Sequence, residues 1–437
     1  MLPARAETEL VDRVLAAIDE ESVVALALTL GGIDSAAGHE LEAVDYVFDW
    51  MKEEGFAPRR VGLVPERTNV VGRLKGTGGG CSILFNSHLD TSVAADEWLS
   101  TSHAADRVYH DAWREGDVLV GNGVCNDKGQ MACWMIAARA IRKVAGPLPG
   151  DIVLTSVCGE IELEPIDEFA APTYSSREFG TRYVITRGAI ADYALVAEAT
   201  DFRLGSVEAG NLFLKLNVYG QEPPVYNPFV DRESGGPSPN AIVLLAGVIQ
   251  KLEPWALEYE RRNRWESPGG TVVPKLSIGA IRSGLPYKIS KTAQVAAAYL
   301  DVRLNPAQDP LDVLEELTAF INCVGVEFDL EIYTYRPGRA ARGLGTLNAA
   351  VATAHRRVFG GAVEKALPTT TSLWRDLNSF AESGIPCVMY GPGPNIGTGN
   401  FTIKVADLVD AARAYALIAL EICSTPRSER QRDGSTG

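Results

Sequence analysis

The sequence predicts an α/β protein, a mostly parallel sheet sandwiched by helices with an inserted α+β module. Three observations carry this. Short apolar runs near 69–74, 82–87, 151–158 and 193–197 are interspersed with helical patterns, the texture of a parallel sheet covered on both faces. After Glu198 that texture gives way to longer, half-exposed strand patterns. And 437 residues are too many for one hydrophobic core, so at least two domains are expected.

Taken in order, Leu10, Val11, Val14, Leu15 and Ile18 recur at helical spacing and define a first amphipathic helix. A second helix runs near 39–54 and stops at Gly55. A strong helix occupies about 128–144. Residues 212–218 alternate apolar and polar, as a strand with one wet face does. A stretch rich in Pro and Gly fills 220–239. A helix at 240–252, strands near 272–281 and 294–304, and a helix near 310–322 complete the insert. The expected division is 1–205 and 326–424 for the first domain and 206–325 for the inserted one. Residues 425–437 read as a polar, disordered tail.

The chain is 46% hydrophobic and 22% charged, ordinary for a globular protein, and its net charge is -15. That balance argues against nucleic acid or an anionic membrane as partner and leaves a small-molecule substrate as the expectation. Seven cysteines, an odd number with no CxxC pair, read as reduced and mostly buried thiols of a cytoplasmic protein. Cys125 reads as structural. The N-terminus has no apolar signal core, and no apolar run approaches the ~20 residues of a membrane span.

The chemistry concentrates where strands end. Ser87-His88-Leu89-Asp90-Thr91 closes the apolar run at 82–85, and the C-terminal edge of such a sheet is where ligands bind. His88 suits a metal ligand whose other ring nitrogen is held by the carboxylate of Asp90. Three further acids follow at strand or loop ends: Asp127, Glu160 and Glu198. His88, Asp127 and Glu198 are the candidate ligands of a divalent metal, with Mn, Zn and Co all compatible. Glu160 is the candidate general base, acting on a water acidified by the cation. For Asp127, which precedes a helix, N-terminal capping is the competing role. His39 and His355 read as surface residues on helices. His103 and His110 lie in the loop between His88 and Asp127, and His110 is taken as a candidate substrate contact.

The order of these motifs resembles the metallopeptidase family of acetylornithine deacetylase, succinyl-diaminopimelate desuccinylase and carboxypeptidase G. Asp301-Val302-Arg303 and the Gly391-Pro392-Gly393 turn after Cys387-Val388-Met389-Tyr390 extend the resemblance over nearly the whole chain. It implies a zinc-exopeptidase-like catalytic domain and an inserted lid and dimerisation domain, hence a homodimer or higher oligomer. It implies hydrolysis of a C–N bond in a small carboxylate-bearing substrate. It also implies that Asn378, in Arg375-Asp376-Leu377-Asn378, faces substrate.

Three departures from the family pattern matter. The family places two adjacent acids after the third strand, but here the stretch reads Gly159-Glu160-Ile161-Glu162. The late His that follows the Gly-Pro-Gly turn is absent from 394–400. The lid His that polarises the scissile carbonyl is absent from 223–230, where Tyr226 or Asn227 stands as the substituted donor. The first two losses point to one metal per chain, held labile. The third fits a reaction that makes no carbonyl oxyanion. Hydrolytic deamination of an aromatic amine, 5-nitroanthranilate to 5-nitrosalicylate and ammonia, is therefore put first. An amide deacylase or dipeptidase is the alternative, and a non-catalytic binding relative the third reading.

Overall fold

The computed structural model describes residues 4–92, 106–161, 164–170, 179–221, 238–364, 370–393 and 401–432. The chain divides into two compact units. The first comprises 1–206, 341–367 and 375–437, the second 207–340 and 368–374.

The first unit begins with α1 (Ala4–Ala16) at the expected amphipathic stretch. α2 (Glu20–Gly31) has no counterpart in the sequence reading, because 23–30 is apolar without a clear period. Asp19 caps it, its side chain accepting from Ser22 N at 2.8 Å. Val23, Val24, Leu26, Ala27 and Leu30 are all buried, as in a helix enclosed by its neighbours. α3 (Leu41–Glu53) ends just before Gly55, whose φ of 74° turns the chain.

Strands β1 (Arg59–Val64), β2 (Arg67–Leu74) and β3 (Ile83–His88) follow, then a short hairpin of β4 (Trp113–Glu115) and β5 (Val118–Val120). A helical turn over Val124–Lys128 leads into α4 (Gly129–Val144). β6 (Ile152–Val157), α5 (Thr181–Thr186) and β7 (Tyr193–Val196) complete this segment.

The second unit is built from β8 (Val207–Glu208), β9 (Gly210–Tyr219), α6 (Ala241–Arg262), β10 (Trp265–Ser267), β11 (Gly270–Val272), β12 (Leu276–Ser283), β13 (Val295–Leu304), α7 (Pro310–Asn322), β14 (Glu327–Arg336), β15 (Arg339–Ala340) and β16 (Thr370–Thr371). Its main sheet is antiparallel, in the order β12-β13-β9-β14. Leu212, Leu214, Leu216 and Val218 of β9 point to one face. There they join Ala296, Ala298, Leu300 and Val302 of β13 and the apolar sides of α6 and α7 in a single core. Arg303 ties β13 to β9, its guanidinium donating to Asp301 Oδ2 at 2.7 Å and Asn211 Oδ1 at 2.8 Å.

Two expectations change here. The inserted unit does not end at 325, because β14 pairs with β9 from Glu327 to Arg336 and closes the sheet's second edge. And α6 runs ten residues past Leu252, through Pro254. Trp255 stacks on Tyr259 with ring centroids 5.1 Å apart, and Tyr259 is fully buried, so packing outweighs the lost backbone donor.

The chain re-enters the first unit with α8 (Gly345–Phe359), α9 (Leu377–Glu382), β17 (Cys387–Met389), β18 (Thr402–Lys404) and α10 (Val405–Ser424). The six-stranded sheet has the order β1-β2-β6-β3-β7-β17. Its β6-β3-β7-β17 portion is parallel, and β1 and β2 extend it antiparallel. Ile83 and Phe85 belong to the core that contains α2, α4 and α10, while Leu84 belongs to the one with Val184, Leu377 and Phe380. That period-2 division is what a sheet covered on both faces requires.

The tail is corrected as well. Arg427–Arg432 is a short 3-10 helix, not disorder. Arg427 and Arg430 reach the buried Asp192 at 3.2 and 2.6 Å. Among the described residues no helix is long and apolar enough to cross a membrane.

Candidate metal centre

β3 delivers His88 at its C-terminal end, 1% exposed. β7 delivers Glu198 two residues past its last paired position, and the turn before α4 delivers Asp127 through a cis Asn126–Asp127 peptide. One ligand atom from each of His88, Asp127 and Glu198 lies within 4.8 Å of the others, and all three residues are buried.

Asp127 does not cap α4. Its Oδ2 accepts from the backbone N–H of His88 at 3.3 Å, and its Oδ1 has no hydrogen-bond partner. Glu198 Oε2 likewise makes no hydrogen bond, with Arg375 Nε 3.4 Å away. Burial, then the charge of Glu198, pushes the Asp127 carboxyl well above the ordinary range. Two buried carboxylates with unbonded oxygens facing a His are a donor set that fits a divalent cation.

His88 is oriented from behind. Its Nδ1 faces the carbonyl oxygen of Asp90 at 2.9 Å and Asp90 Oδ1 at 3.5 Å. Its Nε2 faces Asn126 Oδ1 at 3.2 Å and Glu160 Oε2 at 3.9 Å. Asp90 also accepts from the backbone N–H of Glu160 at 3.2 Å and Ile161 at 2.7 Å. One carboxylate thus links the end of β3 to the segment bearing Glu160. Burial works against it, but His88 and those two N–H groups hold Asp90 below the ordinary carboxylate range. His88 is raised well above its ordinary value: burial opposes, and Asp90, Asp127 and Glu160 prevail.

Among the described residues the surrounding shell is polar and largely buried. Asn86 donates to Asp376 at 2.8 Å and accepts from Thr155 and Thr181. Burial raises Asp376 to about 6. Trp134 Nε1 donates to Ser87 Oγ at 3.0 Å. Lys128, fully buried, donates to Ile33 O at 2.6 Å and Ser35 Oγ at 2.9 Å, and burial lowers its amine to about 7. Gln130 Nε2 bridges Cys125 O and Pro392 O at 2.9 and 3.0 Å, joining the Asp127 turn to the Gly391–Gly393 turn. A Cβ at Gly391 would lie 2.5 Å from Glu198 O, so the turn owes its closeness to glycine.

Other expected residues fall differently. His110 Nδ1 faces Asp34 Oδ2 at 3.0 Å and is not part of the His88 cluster. Asn378 is buried in the first turn of α9. His39 is exposed just ahead of α3. His355 is not a free surface residue, because it is half-buried and its Nδ1 lies 2.8 Å from Tyr390 Oη. Cys125 is buried, and burial pushes its thiol up to about 12. Tyr226, Asn227, Glu162, His103 and the 394–400 stretch lie outside the described residues. The sequence reading missed Asn126 and Arg375 as neighbours of the cluster, although Asn126 adjoins a candidate ligand in the chain.

Fold and site together define a metal-dependent hydrolase of C–N bonds. The chain belongs to peptidase family M20/M25/M40, whose family profile matches residues 84–421. It is 23% identical to an N-formyl-4-amino-5-aminomethyl-2-methylpyrimidine deformylase of Bacillus subtilis (strain 168), over 94% of this chain and 96% of that one. In fold it is similar to human carnosine dipeptidase 1, with TM-score 0.66 at 15% identity, covering 95% of this chain and 99% of that one. It is similar also to an M20 family metallo-carboxypeptidase from Sulfolobus solfataricus, with TM-score 0.66 at 15% identity, covering 92% and 99%.

Proposed function

We propose that this protein is an amidohydrolase that removes a short acyl group, formyl being the first candidate, from the nitrogen of a small aromatic or heteroaromatic amine. The observation that carries the hydrolytic reading is the buried convergence of His88, Asp127 and Glu198 with Glu160 Oε2 3.9 Å from His88 Nε2. The formamide preference is drawn from the Bacillus subtilis relative, which aligns over nearly the full length of both chains.

His88, Asp127 and Glu198 would hold a divalent cation, whose chemistry there would be Lewis acidity and the acidification of a water. Glu160, 3.9 Å from His88 Nε2, would hold the proton given up by the attacking water and pass it to the departing amine. Asp90 keeps the His88 ring and the Glu160 backbone in register. Arg375 neutralises part of the charge on Glu198. One cation per chain is the reading that Ile161 and the His-free 394–400 sequence support.

The absence of any His from 222–237 favours a second reading, displacement of an aryl amine by water, which needs no carbonyl polarisation. The comparisons lend it no support, and 5-nitroanthranilate is not retained as the leading substrate. The test is to incubate Mn²⁺-loaded protein with N-formyl and N-acetyl arylamines, dipeptides and 2-aminobenzoates, measuring carboxylic acid and ammonia separately. Formate or acetate released with equimolar amine supports deacylation. Ammonia with an aryl hydroxyl and no acid supports the second reading and overturns the first.

We propose that self-association runs through the second unit. Among the described residues β12 and β14 are the edge strands of its main sheet, and Ile242, Val243, Ile281, Tyr287 and Ile289 are exposed. A dimer is expected by light scattering at micromolar concentration, and a monomer contradicts it.

A further inference from the structure

We infer that Asn126 is a fourth member of the metal centre, its side-chain oxygen completing the ligand set of His88, Asp127 and Glu198. This rests on the metal-centre reading above.

The two ring nitrogens of His88 have different partners. Both face acceptors, but Nδ1 is paired with the carbonyl and Oδ1 of Asp90, the arrangement that keeps a proton on one nitrogen of a ligating His and turns the other to the cation. Nε2 is the nitrogen left to ligate. The side-chain atom facing it is Asn126 Oδ1 at 3.2 Å, closer than Glu160 Oε2 at 3.9 Å. Two ligand atoms bonded to one tetrahedral ion at about 2.0–2.2 Å stand roughly 3.3–3.6 Å apart, and octahedral angles bring them to roughly 3 Å. The observed 3.2 Å is a hydrogen-bond distance that also lies between the octahedral and tetrahedral spacings, so the same two atoms have the separation of donors that share a cation.

The backbone holds this arrangement. Asn126, at φ -149° and ψ 93°, leaves the helical geometry of the Val124–Lys128 turn. That turn is clamped on both sides of it, by Gln130 on Cys125 O and by Lys128 on Ile33 O and Ser35 Oγ. The partnerless oxygens Asp127 Oδ1 and Glu198 Oε2 belong to the same cluster.

The charge count explains why an amide suits the place. A divalent cation with neutral His88, ionised Asp127 and Glu198 and a carboxamide sums to zero. A third carboxylate would leave the buried centre negative. A carboxamide oxygen is also the weaker donor, so the centre exchanges its metal more readily than one with Asp at 126.

The test is equilibrium dialysis of the full-length protein against Mn²⁺ alone, with folding checked by circular dichroism and coordination by the visible bands of the Co²⁺ form. Asn126→Ala is expected to weaken Mn²⁺ binding and Asn126→Asp to tighten it, each by about tenfold or more, with altered Co²⁺ bands in both. Mn²⁺ affinity within twofold of the parent in either variant overturns the inference, as does weaker binding by Asn126→Ala with unchanged Co²⁺ bands. If Asn126→Ala does not fold, the isosteric Asn126→Asp decides alone. His88→Ala separates the two levels: loss of Mn²⁺ binding there with no effect at 126 removes Asn126 only, whereas normal binding by His88→Ala removes the metal centre itself.

Discussion

Glu160 is 8% exposed and 3.9 Å from His88 Nε2, beside the proposed metal triad and outside it. Glu160→Gln is therefore expected to bind Mn²⁺ as the parent does while turnover falls by about 100-fold or more. A variant with parental turnover would take Glu160 out of the mechanism. At the same scale, Cys323 is the one exposed thiol of seven, and burial raises the thiols of the rest. A disulfide-exchange reagent is expected to titrate one thiol in the native protein and seven after unfolding. Two fast native thiols would contradict this burial pattern. The convergence of His88, Asp127 and Glu198 was legible because each stands at a strand or loop end. Asn126 was not, because a carboxamide carries no metal signal until distances show what it faces. Arg375 was hidden for a related reason: its partner Glu198 lies far away in sequence.

Among the elements, the strands that build the site could be read and the helices that enclose it could be read only in part. β3 and β6 are short, wholly buried apolar runs flanked by polar or turn residues, so they stand out. α2 reads as a continuous apolar run because Ala25 lies on its exposed stripe with Glu21 and Thr29, and α6 crosses Pro254 because Trp255 and Tyr259 continue its packing. The last turn, Arg427–Arg432, reads as a polar tail until Asp192 supplies its partner. Burial opposes ionisation of Asp192, but Ser82 N–H and Oγ–H and the two arginines hold its carboxyl below the ordinary carboxylate range. A carboxyl depressed in the folded state stabilises above its unfolded pKa and loses that contribution as pH falls through the folded value. Asp192→Asn is thus expected to destabilise by about 1–3 kcal/mol at neutral pH, with the gap to the parent closing below about pH 4. A gap that stays constant from pH 7 to pH 3 would deny the charge any role.

For the whole molecule, the change in strand texture after Glu198 marked the insert, and the sheet itself sets its far boundary. β14 must pair with β9 before the chain can return, a long-range requirement that leaves no local mark near 325. The larger division explains the chemistry. Among the described residues, the three members of the proposed metal cluster all belong to the first unit, at the C-terminal edge of one sheet and the turn before α4. The most direct test of that claim is anomalous diffraction from crystals of the full-length protein soaked in Mn²⁺ or Zn²⁺. One peak per chain is expected, about 2.0–2.3 Å from His88 Nε2 and from carboxylate oxygens of Asp127 and Glu198. A metal bound elsewhere, or no peak at these three residues in protein that hydrolyses its substrate, would contradict the account.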